Sequence, residues 1–532
     1  MVVQLLSKAT RSWCPSIVRT TQPRLRIAKS YSTNPKRTPW RQDTTPEPSV
    51  FVEENFAKHT LFVLDVAKRA IKFSLIGLFT LAATAATAYE GAHLWVEHRE
   101  LSPDPDPEVA RWQWASTLDR WTGDPVKGGT DQVLGVKGQH VLRSAWMAQN
   151  WGVGFSTAVI GGEATNGHEG ALPGPGGLNV IDAELQRAED FLRSAVTIAE
   201  HAAIDGKLQP ETLAVLLARH ANVLERLGPS FWAEAKAKYE RAWATLPRND
   251  DLDAAQIASK IGDISARLRQ EGEAASWWAR AINLVVAGGK NAASEDSSSQ
   301  VPTAAPAAPL AQRILTSTLV AQSAHLASTG QLKQAQALEE QALALLRSIQ
   351  PPESFATASP PQALHALFLL QRSSIISVHL AEVLYSLRKP AASSVQWLTS
   401  AAGSSERVVR ALTGPLLKTS TQKQQQENIP DVTDAPLLQV YSESRSMKKP
   451  ASALLRDARR TTAEAWNLIG LLKERREPQA ALECYERALN WAGAPSKDAG
   501  ARQAAAGTLH SDWEMFLNNY LRLKRTLHPD TP

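Results

Sequence analysis

Residues 466–489 read WNLIGLLKERREPQAALECYERAL, and their spacing decides the fold. Trp466, Ile469 and Gly470 stand three and four positions apart, as on one face of a helix. Ala481, Tyr485 and Ala488 repeat that spacing after a short polar turn ending in Pro478. A small residue in each of two successive helices lets their backbones approach closely. The aromatic four positions after the second small residue then fills the space beside it. The same arrangement occurs at Ile261-Gly262 with Ala274, Trp278 and Ala281. Partial versions occur at Ala235, Tyr239 and Ala242, closed by Pro247, and at Ala335, Glu339 and Ala342, downstream of Leu319 and Leu326. That third match lacks the aromatic and carries Ser323 where glycine or alanine is usual.

These residues resemble the tetratricopeptide repeat, a helix–turn–helix unit that stacks on copies of itself. From Asn179 onward the chain is rich in Ala, Leu, Gln, Glu and Arg, with almost no strand signals. The expected fold is therefore all-α, a tetratricopeptide-like solenoid. Helical repeats are expected over 181–286 and 310–412, with a C-terminal repeat and capping helix over 451–526. Weaker helix-pair candidates are Ala188, Leu192 and Ala195, and the stretch from Ser373 to Ala402. The capping helix, Ser511 to Leu523, would hide the open face of the last repeat. Segments 287–309 and 413–450 are expected as flexible insertions, the first rich in Ala, Ser and Pro, the second carrying Gln422, Gln424, Gln425 and Gln426. An Ala-rich helical bundle without true repeats is the alternative.

Upstream of the repeats the chain changes character twice. No acidic residue precedes Asp43, whereas Lys8, Arg11, Arg19, Arg24, Arg26 and Lys29 all lie in the first 31 residues. Such a basic, hydroxyl-rich, amphipathic start is the pattern of a mitochondrial transit peptide, expected over 1–31 and followed by a linker over 32–60. A basic arm for nucleic acid or anionic lipid is the other reading. Cleavage after Tyr31 would turn the net charge of +5 into −1 and remove the main support for a nucleic-acid partner. Phe73 to Tyr89 then supplies seventeen residues without a charge, within a lead-in and transmembrane helix expected over 61–89. Lys58, Lys68, Arg69 and Lys72 precede it and mostly acidic residues follow, which places the N-terminal side in the matrix and the repeats in the intermembrane space. A buried core helix is the competing reading.

Residues 90–180 form a Trp- and Gly-rich connector. Pro103, Pro105 and Pro107 suggest an extended spacer that lifts the rest off the membrane. Trp95, Trp112, Trp114, Trp121, Trp146 and Trp151 read either as a small core capping the first repeat or as a docking surface. Trp112 and Trp114 cannot share a helix face, so one of them has a separate task. The glycines between Gly128 and Gly138 have the wrong spacing for a phosphate loop.

No catalytic constellation emerges: there is no nucleophile elbow, zinc pair or nucleotide loop, so no catalytic, cofactor or metal residues are assigned. Two cysteines, Cys14 and Cys484, exclude a disulfide scaffold and a four-thiolate metal site. His93 and His98 read as interfacial residues rather than ligands. Binding is the expected activity.

Presequence, single inner-membrane span and intermembrane-space repeats, in that order, resemble the tetratricopeptide adaptor subunit of the mitochondrial i-AAA protease complex. The resemblance implies a non-enzymatic protein that delivers unfolded or surplus membrane proteins to that ATP-dependent membrane protease. Groove-facing positions by the same likeness are Gln256, Ser259, Asp263, Glu464, Asn467 and Glu474, which otherwise read as solvated surface. No Lys/Asn pattern for holding a peptide carboxylate is present. A mitochondrial scaffold, such as an import receptor or a respiratory-complex assembly factor, is the alternative function.

Overall fold

The computed structural model describes residues 51–114, 120–122, 128–152, 159–160, 180–181, 183–246, 251–287, 301–355, 357–414, 436–493 and 510–527. The expected transit peptide, most of the linker, the Gly-rich loop after Gly152 and the Gln-rich stretch 415–435 lie outside them. The chain divides into two units, Met1–Ala83 and Thr84–Pro532.

In the first unit the described residues belong to one helix, α1 (Phe51–Trp95), which continues into the second. It begins well before the expected span and exposes Leu61, Phe62, Phe73, Leu75, Leu78 and Phe79. By length and composition α1 can cross a membrane, as can helix Pro360–Ser386. The latter has 61% of its apolar window buried among other helices, against none for α1, and is a core helix.

The second unit is all-α, apart from a two-residue antiparallel pairing of Val159–Ile160 with Val180–Ile181. Its helices are α2 (Gly135–Trp151), α3 (Ala183–Ile204), α4 (Pro210–Leu227), α5 (Trp232–Thr245), α6 (Asp251–Arg267), α7 (Glu271–Ala287) and α8 (Pro309–Ser328). They continue with α9 (Leu332–Ser348), α10 (Pro360–Ser386), α11 (Ala391–Thr413), α12 (Arg445–Lys473), α13 (Pro478–Ala492) and α14 (His510–Leu527). Each even-numbered helix from α2 to α12 packs on the odd-numbered helix that follows it, and successive pairs stack. Proline at the first helical position of α4, α8, α10 and α13 presets φ where no intrahelical N–H bond is needed.

Four turns, three inside pairs and one between the first two pairs, repeat one geometry that the sequence hides. Gly206, Arg269, Gly330 and Arg388 all adopt positive φ just past a helix end. The following N–H bonds back to a carbonyl five residues earlier: Lys207 to Ala202, Gln270 to Ser265, Gln331 to Leu326 and Lys389 to Leu384, at 2.9–3.0 Å. This is the left-handed C-cap, which glycine adopts without strain and arginine does not.

The small-residue and aromatic pattern is realised in the packing. A Cβ added to Gly262 would lie 2.6 Å from the Trp278 ring, and one added to Gly470 would lie 2.6 Å from Tyr485. Tyr239, Trp278 and Tyr485 are all essentially inaccessible to solvent. Ala188, Leu192 and Ala195 are equally buried in α3, the second helix of the first pair.

Three expectations need correction. The segment at 103–107 is not a free spacer, since Asp104 within it and Ser102 beside it bond to the start of α12. The connector further on contains α2, the first helix of the first pair, whose Gly, His and Gln content masks its period. Gly138 of α2 approaches Ile198 of α3 closely enough that a Cβ would meet its side chain at 3.4 Å. The expected insertion 413–450 is ordered at its end, where Ser444 caps α12 and Tyr441 and Met447 pack into the core of α10–α13. Pro450 is accommodated near the start of that helix. Val301, Ala305 and Ala308, at the end of the other expected insertion, pack against the core of α8–α10.

Candidate binding surface

In stacked helix pairs the first helices present a common surface to a partner. Here that surface receives the described parts of the chain's own connector, residues 97–114, 120–122 and 128–131. Leaving α1, Glu97 accepts from Arg143 of α2 at 2.8 Å and from the backbone and hydroxyl of Thr130. Asp104 then accepts from the Ser444 hydroxyl at the start of α12, and Arg445 donates to the carbonyl of Ser102 at 3.0 Å. Trp114 donates its indole N–H to the Pro361 carbonyl at the start of α10, at 2.9 Å. Arg313 of α8 donates to the carbonyls of Trp112 and Gln113, at 3.1 and 2.6 Å, and lies over the Trp114 ring. Arg120 pairs with Asp253 of α6 at 2.7 Å. Arg219 of α4 donates to the Arg120 carbonyl and covers the Trp121 ring at 4.5 Å. Asp131 finally accepts from Thr212 of α4. The connector therefore touches α12, α10, α8, α6 and α4 in reverse order and returns to α2.

Most of these contacts exclude water. Trp114 and Trp121 are buried, the first among residues of α10, α11 and α12, the second among those of α2–α6. Burial pushes Arg313 down to about 9, and burial beside Arg313 pushes His365 down to about 3. A cation held by carbonyls, an imidazole and a ring face keeps its charge through hydrogen bonds and the ring quadrupole. The prolines of 103–107 suit this role because they bring no N–H that would need a partner. Asp106 caps the single turn Pro107–Arg111.

The separate task of one tryptophan is now visible. Trp114 enters the core between helices, whereas Trp112 stays half-buried against the His365 ring, with centroids 5.3 Å apart. Trp121 and Trp146 are core residues; Trp95 and Trp151 stay exposed. His93 is fully buried, in tilted ring contact with Tyr89 and His140. His98 is exposed.

The six groove positions are mostly engaged inside the molecule. Ser259 shares a hydrogen bond with Thr318 of α8 at 2.9 Å. Asp263 accepts the indole N–H of Trp278 at 3.0 Å, and burial raises its pKa. Asn467 accepts from Asn519 of the capping helix at 3.0 Å. Glu474 receives Tyr485 at 2.8 Å and a two-pronged Arg522 at 2.7 and 2.9 Å. Against a desolvation penalty, the bonds from Arg522 and Tyr485 hold its carboxyl below the ordinary range. Glu464 and Gln256 are half-buried, and burial, with Asp512 nearby, raises Glu464 despite the opposing charge of Arg460.

The carboxylates instead serve the aromatics: Tyr239 meets Glu225, Trp278 meets Asp263 and Tyr485 meets Glu474, each within one helix pair. In the fourth pair Glu339 stands where the aromatic would be, fully buried with neither carboxylate oxygen hydrogen-bonded. Burial, then the charges of Glu382 and Glu340, raises it to about 8. Nothing in the sequence pointed to Arg219 or Arg313; the only signal for their partners was the density of tryptophan in the connector.

Among the described residues, no group of three or more His, Cys, Asp or Glu is placed to hold a metal ion. No family model and no curated protein sequence matches the chain. One similar solved structure is described as "Circular tandem repeat protein with novel repeat topology and enhanced subunit contact surfaces". It is 12% identical, with 75% of this chain and 86% of that one covered, at a TM-score of 0.21. So low a score carries no weight for fold or function.

Proposed function

We propose that the chain is a non-enzymatic, membrane-anchored adaptor built on tetratricopeptide-like repeats. In this reading α1 spans the mitochondrial inner membrane, the transit peptide directs import, and the repeats stand in the intermembrane space. There they bring unfolded or surplus membrane proteins to an ATP-dependent i-AAA protease. The observation that carries the reading is the connector: it begins where α1 ends and is bonded to the first helix of every pair. A partner gripping the repeats would thereby be joined to the anchor through this bonded segment. The buried aromatic beside a glycine in the third and sixth pairs supports the repeat family.

A second reading, a mitochondrial scaffold such as an import receptor or assembly factor, gains from the same observation. The connector and the capping helix already use several first-helix side chains that a captured peptide would need.

Turnover of unassembled inner-membrane subunits separates the two. Deleting the protein should lengthen their half-lives as inactivating the protease does. Unchanged half-lives, with an assembly defect instead, would overturn the adaptor reading. A C-terminal tag should be digested only after the outer membrane is opened; digestion in intact mitochondria would refute the topology.

A further inference from the structure

Within the Thr84–Pro532 unit, a cavity of about 1030 Å³ opens between the start of the connector, α2 and the first turns of α12. Its walls contain five tryptophans and six cationic side chains against three carboxylates. Arg99, Lys448 and Arg456 among them are exposed and have no carboxylate partner among the described residues. Asp104, one of the carboxylates, is already bonded to the Ser444 hydroxyl at the start of α12. The surplus positive charge therefore lies on the side chains and not at the helix terminus.

We infer that this cavity holds the phosphate headgroups of anionic phospholipids from the leaflet in which α1 ends. This rests on α1 being a membrane span. Trp95 is the last residue of α1 and also part of the cavity wall, six residues beyond Tyr89, where the uncharged stretch stops. That is roughly 9 Å along a helix, the depth of a headgroup layer. Trp95 and Trp151 are the exposed tryptophans of the wall, and an amphipathic indole settles at that depth. Lys448 and Arg456 lie two turns apart on α12, roughly 12 Å. Cations spread along a wall match several mobile headgroups better than one free phosphate, and each basic group near an anionic leaflet adds attraction.

The test uses the full chain in phosphatidylcholine nanodiscs containing a minor fraction of phosphatidylglycerol, with the lipid retained on the purified protein quantified. The wild type should be enriched in phosphatidylglycerol over the bulk ratio. Each of Arg99→Ala, Lys448→Ala and Arg456→Ala should reduce the enrichment by up to roughly fivefold, with Arg99→Lys retaining it. Soluble glycerol phosphate should not displace the lipid. Retained lipid at the bulk ratio in a protein that resists carbonate extraction would overturn the inference and leave the span intact. Displacement by glycerol phosphate would also overturn it, assigning the cavity to a soluble phosphate. A protein that carbonate releases would remove the span itself and the inference with it.

Discussion

The guanidinium of Arg313 lies 4.1 Å from the centroid of the Trp114 ring, deep between the connector and α8. Two connector carbonyls and the His365 ring complete its surroundings, so a buried cation and a buried indole solvate each other. Removing either leaves the other exposed to the wrong medium: the ring to a void, the charge to a site without its bonds.

Trp114→Ala should therefore destabilise the repeat unit by about 3–5 kcal/mol, the range for deleting a buried tryptophan. Limited proteolysis should also begin at Arg111 and Arg120, which flank the loosened segment. A connector that stays protected in this variant would show that Trp114 does not hold it.

The glycines facing aromatics offer a sharper test of the repeat packing. Gly262→Ala and Gly470→Ala push a methyl into Trp278 and Tyr485 and should each cost about 1–3 kcal/mol. Gly403→Ala is the control: nothing lies within 4 Å of its added Cβ on α11, so it should gain about 0.5–1 kcal/mol. Denaturant unfolding of the three variants checks the opposite signs.

The left-handed arginines predict stabilisation by a change that removes atoms. Arg388→Gly and Arg269→Gly relieve a conformation that costs an L side chain about 1 kcal/mol, although glycine's freer unfolded chain takes some of that back. Each should raise stability by a few tenths to about 1 kcal/mol, read from the urea midpoint. A loss would mean the arginine side chains make contacts worth more than the strain.

Glu339 gives the molecule a pH dependence of definite sign. Its folded pKa of about 8 lies above the unfolded value near 4.3, so folding takes up a proton between them. The stability this group contributes is complete below the unfolded value and is lost as pH rises through about 8. Glu382, raised to about 7 by burial and then by Glu464, acts in the same direction. Glu339→Gln should flatten the fall in thermal midpoint over that window and raise stability at its alkaline end. An unchanged slope would assign the dependence elsewhere.

Much of the stack was legible because its determinants are local. Gly262 with Trp278 and Gly470 with Tyr485 lie close in sequence, and their spacing reports a contact that must form wherever two such helices pair. The Ala335 match looked defective for a physical reason: Glu339 occupies the aromatic site as a buried acid. What stayed hidden depends on distance. Arg313 is some two hundred residues from Trp112 and Gln113, and no spacing rule links them. Asp263 and Glu474 were assigned to the groove by likeness to the repeat family, but the aromatic one helix further on takes their oxygens. Helix α2 escaped notice because its buried face, Gly138, Leu142, Ala145 and Trp146, is half small residues and stands among Gly, His, Gln and Asn.

The most direct measurement is purification of the C-terminally tagged full chain from mitochondria in mild detergent, with quantitative mass spectrometry of what accompanies it. We expect subunits of a membrane AAA protease in near-stoichiometric amount. Translocase or respiratory-complex subunits in that amount, without the protease, would contradict the adaptor reading and leave a membrane-anchored scaffold.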